Sequence, residues 1–139
     1  MNLFGGKVQI RPLLRTDQPA GRAEVQARLF SPAGEFTVLA DGVTAIRHLC
    51  YVELREGKLR GNHYHKLRHE NFYVIAGETE LHLQHRTTGE RTMALLRSGD
   101  LAQIGPDIIH AFFPRSSGHA VEFAPEPFDP GDVFREVLL

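Results

Sequence analysis

The sequence predicts an all-β fold, a sandwich or small barrel with few or no helices. Two observations carry this expectation. From Phe36 onward apolar residues recur with a period of two. Turn residues then interrupt the pattern about every 8–12 positions, the rhythm of short strands joined by hairpins. Composition agrees: 139 residues with 42% apolar and 24% charged suit one domain with one core.

The elements follow in order. Residues 1–33 read as an N-terminal arm. Val8 and Ile10 alternate with polar neighbours, then Pro12, Pro19, Gly21, Pro32 and Gly34 break the pattern. A short helix fits Ala23 to Phe30. Residues 34–124 read as the barrel. Phe36, Val38 and Ala40 alternate up to a turn at Asp41-Gly42. Next, Ile46, His48, Cys50, Val52 and Leu54 share one strand face, with Arg47, Tyr51 and Glu53 on the other. Glu56-Gly57 ends that strand. Short strands then carry His63 and His65, Asn71 to Ile75, Leu81 and Leu83, Met93 and Leu95. Others span Leu101 to Ile104, Ile109 to Phe113, and Ala120 to Phe123. The segment 125–139 reads as a surface-wrapping tail with Val133, Phe134 and Val137 as anchors.

Bulk properties exclude several function classes. A formal net charge of −1 gives no global basic field for nucleic acid or an anionic membrane. No apolar run approaches the roughly 18 residues that span a bilayer. Cys50 is the lone cysteine, so no intrachain disulfide forms. Met1 to Lys7 lacks the pattern of a signal peptide. The expectation is a cytoplasmic protein with a small-molecule substrate, no nucleic-acid partner and no membrane partner.

The chemistry concentrates in one constellation. Written as spacing, it is Gly57-x5-His63-x-His65-x4-Glu70-x6-Gly77, followed by Gly99-x10-His110. Side chains two apart on a strand share a face, so His63 and His65 project together and Tyr64 points away. Four residues on, a turn or bulge returns Glu70 beside them. If Glu70 faces inward, so do Phe72 and Val74, and His110 then comes from a neighbouring strand with Phe112 on its face. Three imidazoles and a carboxylate suit one divalent ion, whether Fe, Mn, Ni or Zn. An octahedral ion would keep two open positions and act as a Lewis acid. Four-coordinate zinc would be closed and structural.

These residues resemble the two motifs of the cupin superfamily. The first motif matches without a gap at Gly57, His63, His65, Glu70 and Gly77. The second starts at Gly99 and places its histidine at His110, but Gly105-Pro106-Asp107 replaces the usual Pro-x-Gly, and Pro114 replaces a common asparagine. The resemblance covers about residues 57–114. It implies a double-stranded β-helix, a jelly-roll-like barrel with the metal inside, often a homodimer. Arg60-Gly61-Asn62-His63-Tyr64-His65 and Phe128-Asp129-Pro130 also resemble cupin domains of capsule-sugar and deoxysugar pathways. Those act on nucleotide-linked keto-sugars as epimerases or isomerases, some with a metal and others with an acid/base dyad.

The favoured expectation is isomerisation or epimerisation of a small anionic, oxygen-rich carbonyl compound. The metal would chelate it and acidify the neighbouring C–H, and a base would move the proton. His48 is the candidate for that catalytic role, against the plainer reading of a satisfied core histidine. A metal-dependent dioxygenase and a non-catalytic binding protein are the alternatives. Arg55, Lys58, Arg60, Lys66 and Arg68 crowd the first motif. They read as a solvated loop balanced by Glu53 and Glu56, or as an attractor for a carboxylate or diphosphate. His69 and His82 read as exposed, and Cys50 as a buried small hydrophobe.

Overall fold

The computed structural model describes residues 1–16, 26–42 and 45–139. Among these, the regular structure is β-strand with two single-turn 3-10 segments, Phe4–Gly6 and Pro130–Asp132. The strands are β1 (Asn2–Leu3), β2 (Val8–Pro12), β3 (Leu14–Thr16), β4 (Ala27–Ser31), β5 (Gly34–Val38), β6 (His48–Leu54) and β7 (Arg60–Tyr64). They continue as β8 (Glu70–Ala76), β9 (Glu78–His85), β10 (Arg91–Arg97), β11 (Asp100–Ile104), β12 (Ile108–Pro114), β13 (Gly118–Ala124) and β14 (Phe134–Arg135).

Two sheets form the barrel wall. One runs β1-β2-β11-β8-β13-β6 and the other β10-β9-β12-β7-β14. Their inner faces share one core. Val8, Val52, Leu54, Phe72 and Val74 of the first sheet meet Leu81, Leu83, Leu96 and Phe112 of the second. Period-two alternation produces this, since every second side chain of a strand enters the core. Phe72 and Phe112 stack with ring centroids 4.2 Å apart, next to the cluster described below.

The N-terminal segment differs from a simple arm. Val8 and Ile10 are buried because β2 pairs with β11, with Ala102 opposite Ile10. The helix expected over Ala23 to Phe30 is not what forms over its described part. Residues 23–25 lie outside the described residues, and Ala27–Ser31 is a strand, parallel to β3 and antiparallel to β5. Pairing on both sides outweighs a modest local helix preference. Arg28 of β4 also binds Glu35 of β5 at 2.8 Å, a cross-strand contact that a helix would break. This three-stranded sheet shares no strand pairing with the barrel sheets, although Tyr73 of β8 donates to Glu35, and its Phe36 is 71% exposed. Nearby Leu39 and Ala40 pack on a second apolar cluster of Leu13, Tyr73, Leu101 and Phe123.

Candidate metal centre

β7 delivers His63, and the residue after its end delivers His65. A bulge shapes this delivery. His110 pairs with His63, but Ala111 pairs with Gly61, which leaves Asn62 extra on β7. Asn62 takes φ +58°, a conformation that asparagine tolerates at such bulges. Gly61 takes φ +95°, and a Cβ there would meet the His110 carbonyl oxygen at 2.7 Å. Only glycine permits this close approach of β7 to β12. Tyr64 points away and stacks on Phe134 of β14.

Glu70 opens β8 and is buried, as is His110 on β12. The replaced turn before His110 works because Asp107 adopts φ +64°, the left-handed role that glycine usually fills. Its N–H donates to the His65 carbonyl at 2.8 Å, and its carboxylate binds Arg86 at 2.9 Å. The two halves of the constellation are thus tied by main chain.

The structure brings together all four expected donors. One potential ligand atom from each of His63, His65, Glu70 and His110 lies within 4.8 Å of the others. Glu70 Oε2 sits 3.1 Å from His110 Nε2 and 3.4 Å from His65 Nε2. Hydrogen bonds on the far side fix two of the rings. His65 Nδ1 donates to the Asp132 carbonyl at 2.7 Å, and His110 Nδ1 donates to the Ile108 carbonyl at 3.0 Å. A neutral ring that donates from Nδ1 presents a bare Nε2, the arrangement that metal-ligating histidines use. His63 Nδ1, Glu70 Oε2 and His110 Nε2 are buried without a hydrogen-bond partner. Buried polar atoms are normally satisfied, so three convergent orphans fit a divalent ion.

Electrostatics tell the same story. Burial opposes charge on Glu70, yet the charge of His110, with Glu122 and His65 close by, holds it well below the carboxylate range. Burial also opposes charge on His110, and the Glu70 carboxylate overcomes it and raises that imidazole. Burial, with charged His110 beside it, drives His63 down to about 4. A proton on His110 thus supplies the positive charge that the carboxylate demands and that an ion would provide.

His48 is half-buried on β6 beside Cys50 and Glu122, and its surroundings differ from those of a free base. Arg68 Nη2 donates to His48 Nδ1 at 2.6 Å. Arginine cannot accept, so His48 Nδ1 is the acceptor and Nε2 carries the proton. Desolvation and the Arg68 charge lower its pKa. His48, Cys50 and Glu122 form a second set of close donor atoms. The Cys50 thiol donates to Glu122 at 3.2 Å, and burial, then Glu122, push that thiol up to about 11. Burial and the Glu70 carboxylate push Glu122 up to about 8.

Three residues escaped the sequence reading. Arg68 is buried, not part of a solvated loop. Glu122 shares parity with buried Ala120 on β13, a signal present in the alternation. Asp132 has no local signal. Its carboxylate accepts the backbone N–H groups of Lys66, Leu67 and Arg68 at 2.8–3.3 Å. His69 bonds Glu126 at 2.6 Å and His82 bonds Glu80 at 2.6 Å, both away from the centre.

This is a cupin-type barrel with a donor cluster of three histidines and one glutamate, buried except for the half-buried His63. Residues 34–112, more than half of the chain, match the model of the polysaccharide biosynthesis C-terminal domain family, and the chain belongs to that family. No curated protein matches its sequence. Among solved structures it is similar to the 3,4-ketoisomerase QdtA of Thermoanaerobacterium thermosaccharolyticum in complex with TDP-4-keto-6-deoxyglucose. The identity is 18%, the TM-score 0.71, and the match covers 94% of this chain and 88% of that one. The TDP-quinovose 3,4-ketoisomerase WlaRB of Campylobacter jejuni matches at 16% identity and TM-score 0.73, covering 93% and 92%. ChmJ, a 3'-monoepimerase of Streptomyces bikiniensis, matches at 10% identity and TM-score 0.75, covering 96% and 71%. At these identities the likeness establishes the fold. Among the described residues no helix is long and apolar enough to cross a membrane.

Proposed function

We propose that the protein is a metal-dependent isomerase or epimerase acting on a nucleotide-linked keto-sugar. The observation that carries this is the convergent, partly orphaned set His63, His65, Glu70 and His110. The named activities of the similar barrels support the substrate class. A divalent ion held there supplies Lewis acidity toward a carbonyl oxygen, which acidifies the adjacent C–H.

The chain's own groups complete the site. Phe72 and Phe112 form a dry wall beside the donors, which strengthens every charge interaction there. His48 offers Nε2–H to a substrate oxygen while Arg68 occupies its Nδ1. It becomes a proton acceptor when Arg68 releases Nδ1 to the bound substrate. The same reading places the protein in the cytoplasm as a homodimer, and exposed Leu49 and Tyr51 on edge strand β6 offer a face for a second copy.

The test is deuterium exchange from solvent into a panel of nucleotide keto-sugars, with metal analysis of protein purified without added metal. Exchange that depends on the metal supports the reading. Exchange in the fully stripped protein replaces the metal mechanism with an acid/base one. Stoichiometric iron with substrate-dependent oxygen uptake and no exchange moves the protein to the dioxygenases. Absence of metal after reconstitution at neutral pH overturns the metal centre.

A further inference from the structure

The donors come from strands whose pairing fails where they meet. The β7–β12 ladder is interrupted by the bulge at His110/Ala111, and its last pair is His63 with His110. A bulge disrupts the ladder locally, so strand pairing does not hold His65 against the strand of His110. The main-chain bond from Asp107 to the His65 carbonyl takes over there. Asp107 is itself held by one exposed residue, Arg86, just after β9. The Arg86 N–H donates to the Asp107 carbonyl at 3.1 Å, and its Nε donates to Asp107 Oδ1 at 2.9 Å. Main chain and side chain of one residue thus grip main chain and side chain of the other.

The second observation is the other neighbour of the same guanidinium. Its central carbon lies 5.2 Å from the centroid of the Tyr64 ring, within cation–π range. Tyr64 stands between His63 and His65 in the chain. Its ring stacks on Phe134, with centroids 5.1 Å apart and planes 18° from parallel. Lys66 Nζ lies 4.4 Å from the Phe134 centroid. Phe134 opens β14, two residues after Asp132, whose carbonyl accepts from His65 Nδ1. Arg86 therefore touches both the turn that leads to His110 and the stack that seats the His63–His65 segment on the C-terminal strand. As a stability device it contributes little, because the Arg86 and Asp107 side chains are 41% and 29% exposed.

We propose that Arg86 is a positioning residue of the metal centre. It bridges the break in the β7–β12 ladder and sets the spacing between His110 and the His63–His65 pair. Arginine suits this task, because its flat, rigid fork binds a carboxylate at one edge and lies against a ring. The proposal rests on the metal reading of the cluster.

Co²⁺ is the probe, since its visible absorption reports the number and arrangement of its ligands. Arg86→Met, Arg86→Lys and Tyr64→Leu should each bind it about tenfold more weakly than wild type, with an altered visible band. Lysine keeps the charge but loses the fork. Tyr64→Phe, which keeps the ring, should restore most of what Tyr64→Leu loses. The double variant Arg86→Met/Tyr64→Leu should lose little more than either single one, since both cut the same link. Circular dichroism and thermal melting establish folding. Asp107→Asn, which tolerates the left-handed backbone and removes the carboxylate, replaces Arg86→Met if that variant does not fold. Wild-type affinity and spectrum in Arg86→Met overturn the proposal while leaving the metal centre in place. So does a lowered melting temperature with an unchanged spectrum, which makes Arg86 a surface brace, and so do fully additive losses in the double variant. Wild type that binds no Co²⁺ removes the metal centre and the proposal with it.

Discussion

His65 donates its Nδ1 proton to the main-chain carbonyl of Asp132 across 2.7 Å. A residue of the C-terminal segment therefore sets the tautomer of a residue in the donor cluster. Asp132 also caps the turn that links His65 to Glu70, through the amides of Lys66, Leu67 and Arg68. One residue thus fixes both the ring and the chain that carries it.

Asp132→Ala keeps the main-chain carbonyl that accepts from His65 but removes the carboxylate that holds the amides of Lys66, Leu67 and Arg68. The loosened turn should weaken metal affinity by about 10-fold, the low end of the effect of losing a ligand's supporting contacts. Asp132→Asn, which keeps one acceptor oxygen, should lose less. Competitive titration with a chromophoric chelator measures both. Wild-type affinity in the alanine variant would show that the tail does not hold the site.

Replacing a donor should do more. Glu70→Gln or His110→Asn should abolish stoichiometric metal binding while leaving a folded barrel, read by elemental analysis and circular dichroism. In the wild type, affinity should fall as pH drops from about 7.5 to about 5, because imidazoles must lose their protons to bind. A flat profile over that range would contradict histidine ligation.

The three-stranded sheet has its own acid sensitivity. The hydrogen bond from Arg28, against some desolvation and with help from Thr37, holds Glu35 down from 4.5 to about 2. The folded state thus favours the charged carboxylate. Its stabilisation is complete above pH 4.5 and is lost as pH falls from there through 2. Solvent weakens the pair, so Glu35→Gln should cost only about 0.5–1 kcal/mol at pH 7 and nearly nothing at pH 2. Urea melts at the two pH values give the comparison, and equal losses at both would exclude the ion pair.

Gly61→Ala should be worse than Gly57→Ala, although Gly57 is the motif glycine. Gly57 has φ +72° and open space around a Cβ, so the change should cost about 1 kcal/mol. At Gly61 the new methyl group would strike the His110 carbonyl, adding displacement of β7 from β12 and loss of metal affinity. Denaturant midpoints and metal titration together separate strain from displacement.

Phe72→Ala should cost about 3–5 kcal/mol, from the lost burial and the cavity left against Phe112. Chemical denaturation measures it.

The barrel was legible because alternation is a local signal. His63, His65 and Glu70 with Phe72, Val74 and Phe112 occupy the face that parity assigned. His110 stayed in register through an unusual turn because Asp107 accepts a left-handed backbone. What escaped depends on long-range contact. Ala27 to Phe30 reads as a helix until β3 and β5 pair with it. Arg68 reads as a surface charge until the tail covers it, and Asp132 reads as an ordinary acidic residue of a loop.

That tail has a consequence for assembly. The His65–Asp132 bond spans 67 residues of chain, and Asn62 is likewise bonded to Leu138. Contacts of such separation close slowly, since the loop entropy is spent before they form. An early, half-closed barrel would carry all four donors with a loosely oriented His65, and so would hold metal weakly. Tight loading therefore belongs to the finished chain, and metal retention becomes a reporter of whether the last strand has docked.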